Sequence, residues 1–372
     1  MVSIPQSNPG ASSAGYKDEI DRSIQRVMAS GWYILGQEVA AFEREFANFI
    51  GASNVIGVAN GTDAITIALE ALGVGPGCAV VTVSHTAVAS IVGVQLSGAT
   101  PLLVDIDEHY TLDPQHLEAA AASAKKQGLR LAAILPVHLY GQPADLDPII
   151  DFAKVNGAVV IEDCAQAHGA LWKGRMVGGI TEAASFSFYP TKNLGAIGDG
   201  GATSFRDPEV VARGMQLRQY GWDAERRCQH FGRNSRLDEL QAAILRAKLK
   251  GLAADIARRR EIAAAYDEGL RNLPLTLPKV REGAVHAYHQ YVVSVANQNA
   301  FRESLVKAGV GTAIHYAPAN HLHPAYAKAT RVGGALPATE EAAKHVVSLP
   351  MFPELTDGQV SRVIDAVRTT LI

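Results

Sequence analysis

The chain has only three cysteines in 372 residues, Cys78, Cys164 and Cys228. Their spacing matches neither a disulfide framework nor a zinc motif, which fits a reducing compartment. No run of about 18 apolar residues suggests a membrane span, and no short apolar segment with a cleavage site opens the chain. The expected location is therefore the cytoplasm. Neither sign of charge dominates: the formal net charge is -3, which gives no electrostatic pull toward nucleic acid or an acidic membrane. Repeats and low-complexity tracts are lacking. So is a dinucleotide fingerprint: no Gly-x-Gly-x-x-Gly follows the first strand-like run, and Gly73-Val-Gly-Pro-Gly77 ends a helical pattern instead of opening one. NAD chemistry is not expected.

What is present is apolar sequence, 48% of the chain, enough for one large domain and a smaller one. Val55-Ile-Gly-Val58, Ala79-Val-Val-Thr-Val83, Pro101-Leu-Leu-Val104, Leu131-Ala-Ala-Ile-Leu135 and Ala158-Val-Val-Ile161 read as buried strands. Helical patterns such as residues 62–72 separate them. That alternation predicts an α/β fold with a mostly parallel sheet covered by helices. Past Asn234 the character changes. Residues 236–267 read as one long, charged, alanine-rich helix bridging two domains, and Tyr291-Val-Val-Ser-Val295 with amphipathic stretches at 299–308 and 356–370 predicts a smaller α+β domain. The expected division is an N-terminal arm at 1–25, a large domain at 26–245 and a small one at 246–372. The first dozen residues, rich in Ser, Pro and Gly, are expected to be loosely tethered.

Chemistry enters at Lys192, in the small and aromatic run Ser187-Phe-Tyr-Pro-Thr-Lys-Asn193, and at Asp163, just past the last apolar run. A buried lysine is costly unless its amine is used neutral or covalently, and a buried aspartate needs a cationic partner. The pair suits pyridoxal 5′-phosphate (PLP): the lysine would bond the cofactor aldehyde, and the aspartate would keep the pyridine nitrogen protonated. Ala59-Asn-Gly-Thr-Asp-Ala64 lies between a predicted strand and a predicted helix, so the amides at Gly61 and Thr62 would favour a phosphate. An ordinary N-cap is the competing reading there.

These residues, with Ser30-Gly-Trp-Tyr-Ile-Leu-Gly36, Ser84-His-Thr-Ala-Val-Ala89, Val137-His-Leu-Tyr-Gly141, Glu162-Asp-Cys-Ala-Gln-Ala-His168, Gly198-Asp-Gly-Gly201 and Asn234-Ser-Arg-Leu-Asp-Glu-Leu-Gln241, resemble the DegT/DnrJ/EryC1/StrS sugar aminotransferases. The resemblance implies a fold-type I enzyme, in which Gln166 would bond the ring hydroxyl of PLP and Ser187 would join Gly61 and Thr62 at its phosphate. His85 is assigned to stack on the ring, because Ala87 stands where many relatives carry an aromatic residue. Asn234 would reach the phosphate in the neighbouring subunit, braced by Arg236, so a homodimer with shared sites is implied.

Tyr189, Arg218, Tyr220 and His321 are the candidates for holding the diphosphate of a sugar nucleotide. Directly after Trp222 the chain departs from its relatives with Arg227-Cys-Gln-His230, which leaves the sugar and its keto position open. No metal is expected: His315, His321 and His323 lack an accompanying carboxylate or cysteine and lie in proline-broken sequence. The implied activity is transfer of an amino group from an amino acid, L-glutamate being expected, to a nucleotide-linked keto sugar such as a dTDP-3-keto-6-deoxyhexose, with pyridoxamine 5′-phosphate (PMP) as intermediate. The alternatives are a sugar dehydratase of the same fold, against which Lys192 argues, and a non-catalytic PLP-binding regulatory protein.

Overall fold

A computed structural model describes residues 3–327 and 330–371; residues 1 and 2 of the expected arm, and 328, 329 and 372 of the expected small domain, lie outside them. Along the chain the strands are β1 (Asn54–Val58), β2 (Cys78–Val83), β3 (Thr100–Val104), β4 (Arg130–Ile134), β5 (Val159–Asp163), β6 (Leu171–Trp172), β7 (Arg175–Met176), β8 (Ala183–Ser187), β9 (Gly201–Phe205), β10 (Ala284–Val285), β11 (Tyr291–Ser294), β12 (Arg331–Val332) and β13 (Val346–Leu349). The main sheet has the order β1-β9-β8-β5-β4-β2-β3-β12. Within it only β9 runs against its neighbours; every other pairing is parallel. Parallel strands are covered on both faces, and this is why the central ones read as unbroken apolar runs: β2 is buried at every position.

One face of the sheet packs Phe42, Phe46, Phe186 and Phe188 into a single cluster, with Phe46 edge-on to Phe186 at 4.9 Å between ring centres. Alternation along β8 does the rest: Phe186 points into this cluster, so Ser187 must point the other way. A second, smaller core forms where β11 pairs with β13 and the helices Leu252–Gly269, Gln298–Lys307 and Asp357–Leu371 close over Tyr266, Tyr291 and Val347.

Two expectations are corrected. The stretch 236–267 is not one helix but two, Glu239–Leu249 and Leu252–Gly269. The break falls at Gly251, where a β-carbon would sit 2.0 Å from the Tyr16 hydroxyl; that hydroxyl needs the space to donate to Asp255 at 2.8 Å. The first dozen residues are not loose. Ile4 is 1% exposed, pairs with Val310 and, with Ser3, donates to Gly309 O, while Gln6 O accepts from Met351 N at 3.1 Å. The C-terminal part also lends strands to the rest of the chain: β12 joins the main sheet beside β3 and β10 pairs with β6.

Candidate active site

Parallel strands bring their carboxyl ends to one edge, where crevices form. At that edge β5 ends on Asp163, β8 ends on Ser187, and β1 leads through Asn60 into the helix Gly61–Ala71. Asn60 caps this helix by accepting from Asp63 N at 2.9 Å, leaving the amides of Gly61 and Thr62 to face an anion. Gly61 is pressed against Ser187, 2.7 Å separating a built β-carbon from Ser187 Cβ; any side chain would push the two phosphate candidates apart. Together these groups open into a cavity of about 520 Å³ whose wall also includes Thr62, Gln166, Tyr189 and Lys192.

Lys192 is placed by a tight turn in which its amide donates to Tyr189 O at 2.8 Å. Burial pushes its amine down to about 8 from an ordinary 10.5, with Asp163 pulling the other way. Around it stand histidines that burial keeps neutral: His168 falls to about 3, His315 to about 4, and His289 well below 6.5. In each, the Lys192 charge adds to the burial effect. Asp163 accepts from Ser90 Oγ at 2.8 Å and from Ala165 N at 3.1 Å. Gln166 Oε1 accepts from Tyr140 N at 2.8 Å, which fixes the amide so that Nε2 is its donor end, 2.7 Å from the Tyr316 hydroxyl.

Lys192, Asp163, Gln166, Ser187, Gly61, Thr62 and Tyr189 thus share one cavity. The other candidates do not. Arg218 is a correction: it is 4% exposed and bonds Glu43 and the Gly57 carbonyl, the latter at 2.8 Å, so its charge is consumed inside the fold. His85 is a second correction: it lies fully buried behind the wall, bonded to the Tyr140 hydroxyl at 2.8 Å, and the cavity is lined instead by Thr86 and Ala87. His321 is tied to Ser84 Oγ at 2.8 Å and stands off the cavity wall. Tyr220 packs at a tilt against Trp222 at the surface. Asn234 does not start a helix; it is exposed, bridged to Gln219, and away from the cavity of its own chain.

Among the described residues, the set that groups within ligand distance is His138, Glu162 and Cys164, not His315, His321 and His323. Glu162 there already accepts from His138, Gly178, Ile180 and Thr181, which makes it a structural tie. Sequence reasoning missed Tyr316, Ser90 and His289, each of which meets its partner at the site from a segment distant in sequence.

Residues 15–368 match the DegT/DnrJ/EryC1/StrS aminotransferase family. The dTDP-3-amino-3,6-dideoxy-alpha-D-galactopyranose transaminase of Aneurinibacillus thermoaerophilus is 45% identical, over 95% of this chain and 95% of its own. The UDP-2-acetamido-2-deoxy-3-oxo-D-glucuronate aminotransferase of Pseudomonas aeruginosa is 44% identical, over 93% of this chain and 94% of its own. The crystal structure of Streptomyces venezuelae DesV in complex with a ketimine intermediate superposes with a TM-score of 0.94 at 43% identity, covering 98% of each chain. This chain belongs to the DegT/DnrJ/EryC1/StrS aminotransferase family.

Proposed function

We propose that this aminotransferase moves an amino group from an amino acid, L-glutamate, to the 3-keto group of a nucleotide-linked sugar, using PLP and PMP. The observation that carries the reading is the convergence of Lys192, Asp163 and a free helix N-terminus on one cavity. Similarity to transaminases of 3-amino sugars carried on dTDP and UDP supports the substrate class and leaves the nucleotide to experiment.

The residues fit the cofactor. The amides of Gly61 and Thr62 with the Ser187 hydroxyl would hold its phosphate, Gln166 Nε2 would donate to its ring oxygen, and Asp163 would face its ring nitrogen. When bound, PLP supplies an aldehyde that exchanges amino groups and a ring that takes up electrons from the neighbouring carbon. Lys192 Nζ, neutral in a large fraction near pH 8, would bond that aldehyde and, once displaced, carry a proton between the reacting carbons. Tyr189, 53% exposed, stands at the mouth, where a sugar nucleotide would enter.

A twofold dimer completes the site in this reading. Trp32, Tyr33, Ile34 and Phe231 are exposed, Phe231 fully so, and large apolar groups in water favour a partner surface. Asn234 would then serve the partner's phosphate. We further place the enzyme in the cytoplasm, in keeping with its free cysteines; among the described residues no helix is long and apolar enough to cross a membrane.

Spectra test the two half-reactions: glutamate should convert the PLP absorption to that of PMP, and a panel of dTDP-, UDP- and GDP-keto sugars should return it. No spectral change with any amino donor would end the aminotransferase reading. Mixing a Lys192→Ala chain with an Asn234→Asp chain tests the shared site. If Asn234 acts in trans, both defects fall on one site of the heterodimer and activity returns to about half; no recovery in a mass-verified heterodimer assigns Asn234 elsewhere.

A further inference from the structure

Asp163 is held from behind by a chain of hydroxyl groups that the roles above do not use. Ser90 Oγ donates to Asp163 Oδ2 at 2.8 Å and lies 3.0 Å from Thr86 Oγ1. A serine has one hydroxyl proton, and here the carboxylate takes it; Thr86 must therefore donate to Ser90. Ser90 and Thr86 are 1% and 2% exposed, so water offers little competition. The chain is anchored from the far end of the sequence. Asn320 Nδ2 donates to Thr86 O at 2.7 Å and to Ser84 O at 3.0 Å, and Asn320 is itself 3% exposed.

A serine in the first turn of a helix usually bonds the backbone of that turn. Ser90 stands in the first turn of the helix Val88–Leu96, whose N-cap, Ala87, has no side-chain cap bond, yet its hydroxyl reaches across to Asp163. Its role is therefore better explained by the carboxylate than by the helix.

We propose that Ser90 is a positioning residue for Asp163, oriented by Thr86 and fixed through Thr86 by Asn320. The inference rests on the reading of Asp163 as the partner of the cofactor's ring nitrogen. A charge-assisted bond to that nitrogen requires the carboxylate to stay in line, and outer hydrogen bonds are what keep such a group from rotating. With Ser90 Oγ and Ala165 N each engaging one oxygen, Asp163 is held in one orientation toward the cavity.

The experiment binds ¹⁵N-labelled PMP to the full-length protein and reads the chemical shift of the ring nitrogen, which reports its protonation. Ser90→Ala should move the shift toward the unprotonated value and lower kcat on the order of tenfold, as for loss of one hydrogen bond, with KM for the keto sugar unchanged. Ser90→Thr, which restores a hydroxyl, should recover both, and Asn320→Ala should give the same signature more weakly. If Asp163→Asn moves the shift and Ser90→Ala leaves it in place, the Ser90 inference is overturned while the ring-partner reading stands. If Asp163→Asn leaves the shift in place, the ring-partner reading itself is overturned. Should Ser90→Ala fail to fold, Thr86→Val keeps the shape of its residue and decides the matter: an unmoved shift there also overturns the chain.

Discussion

The two sides of the site differ in how their residues are held. On the strand-end side, Asp163, Ser187 and the Gly61 helix start are each fixed by the strand that delivers them, and all reach the same cavity. On the side assigned to the sugar nucleotide, Arg218 and His321 are tied into the fold, and Tyr220 lies at the surface. The difference is one of range. A strand that ends in a loop aims its last side chains by local geometry alone, whereas a cation such as Arg218 goes wherever a carboxylate waits for it, here the half-buried Glu43, distant in sequence.

The same distinction decides what was legible in the sequence. The five apolar runs became β1 to β5 within a residue or two at each end, and the fold and family read from the motifs agree with the solved relatives. Lys192 and Asp163 could be paired because each stands out against an apolar background. The docking of Ile4 on Val310 could not be read, since its partner lies about 300 residues away. Gly251 could not be read as a helix break, because a lone glycine in an alanine-rich pattern is tolerated unless something like Tyr16 fills the space beside it. His85 reads as a ring at the wall because it is the aromatic nearest Ala87 in sequence, but the hydroxyl of Tyr140 captures it behind the wall.

The sharpest way to break this contrast is Lys192→Ala. If the strand-end side is the reacting side, the variant loses transamination entirely and loses the stable label that borohydride leaves on the wild-type peptide containing residue 192. It still binds PMP, because the phosphate cradle at Gly61 and Thr62 is separate from the amine. Reductive labelling of a different lysine in the wild type would move the reacting centre elsewhere.

Arg218→Ala probes the other side. Removing the buried Arg218 leaves the half-buried Glu43 uncompensated; about 3 kcal/mol of stability should be lost, at the low end of the range for buried pairs because Glu43 keeps some access to water and the Gly57 amide as a donor. Thermal or denaturant unfolding reads this loss. For the folded fraction, KM for the sugar nucleotide should stay at the wild-type value. A raised KM with unchanged stability would restore Arg218 to the substrate and erase the contrast.

The smallest effect is in pH, and it follows from the amine of Lys192. In the cofactor-free protein this group titrates near 8, depressed by burial from an ordinary 10.5. The neutral amine is the form that bonds an aldehyde, so capture of PLP should quicken as pH rises, by about tenfold between pH 7 and 9, and level off above. Stability carries the same sign. A lysine whose folded value is depressed costs the fold most at low pH, where it must be charged at a half-buried position on the cavity wall; between about 8 and 10.5 the unfolded chain holds more protons than the folded one, so stability rises with pH there. Replacing Lys192 with Met should therefore raise the melting temperature of the cofactor-free protein below pH 8, with the advantage fading across that window. A capture rate flat from pH 7 to 9, together with no pH-dependent difference in melting between the two proteins, would mean that Lys192 is not desolvated and that the strand-end side lacks the electrostatic character that sets it apart.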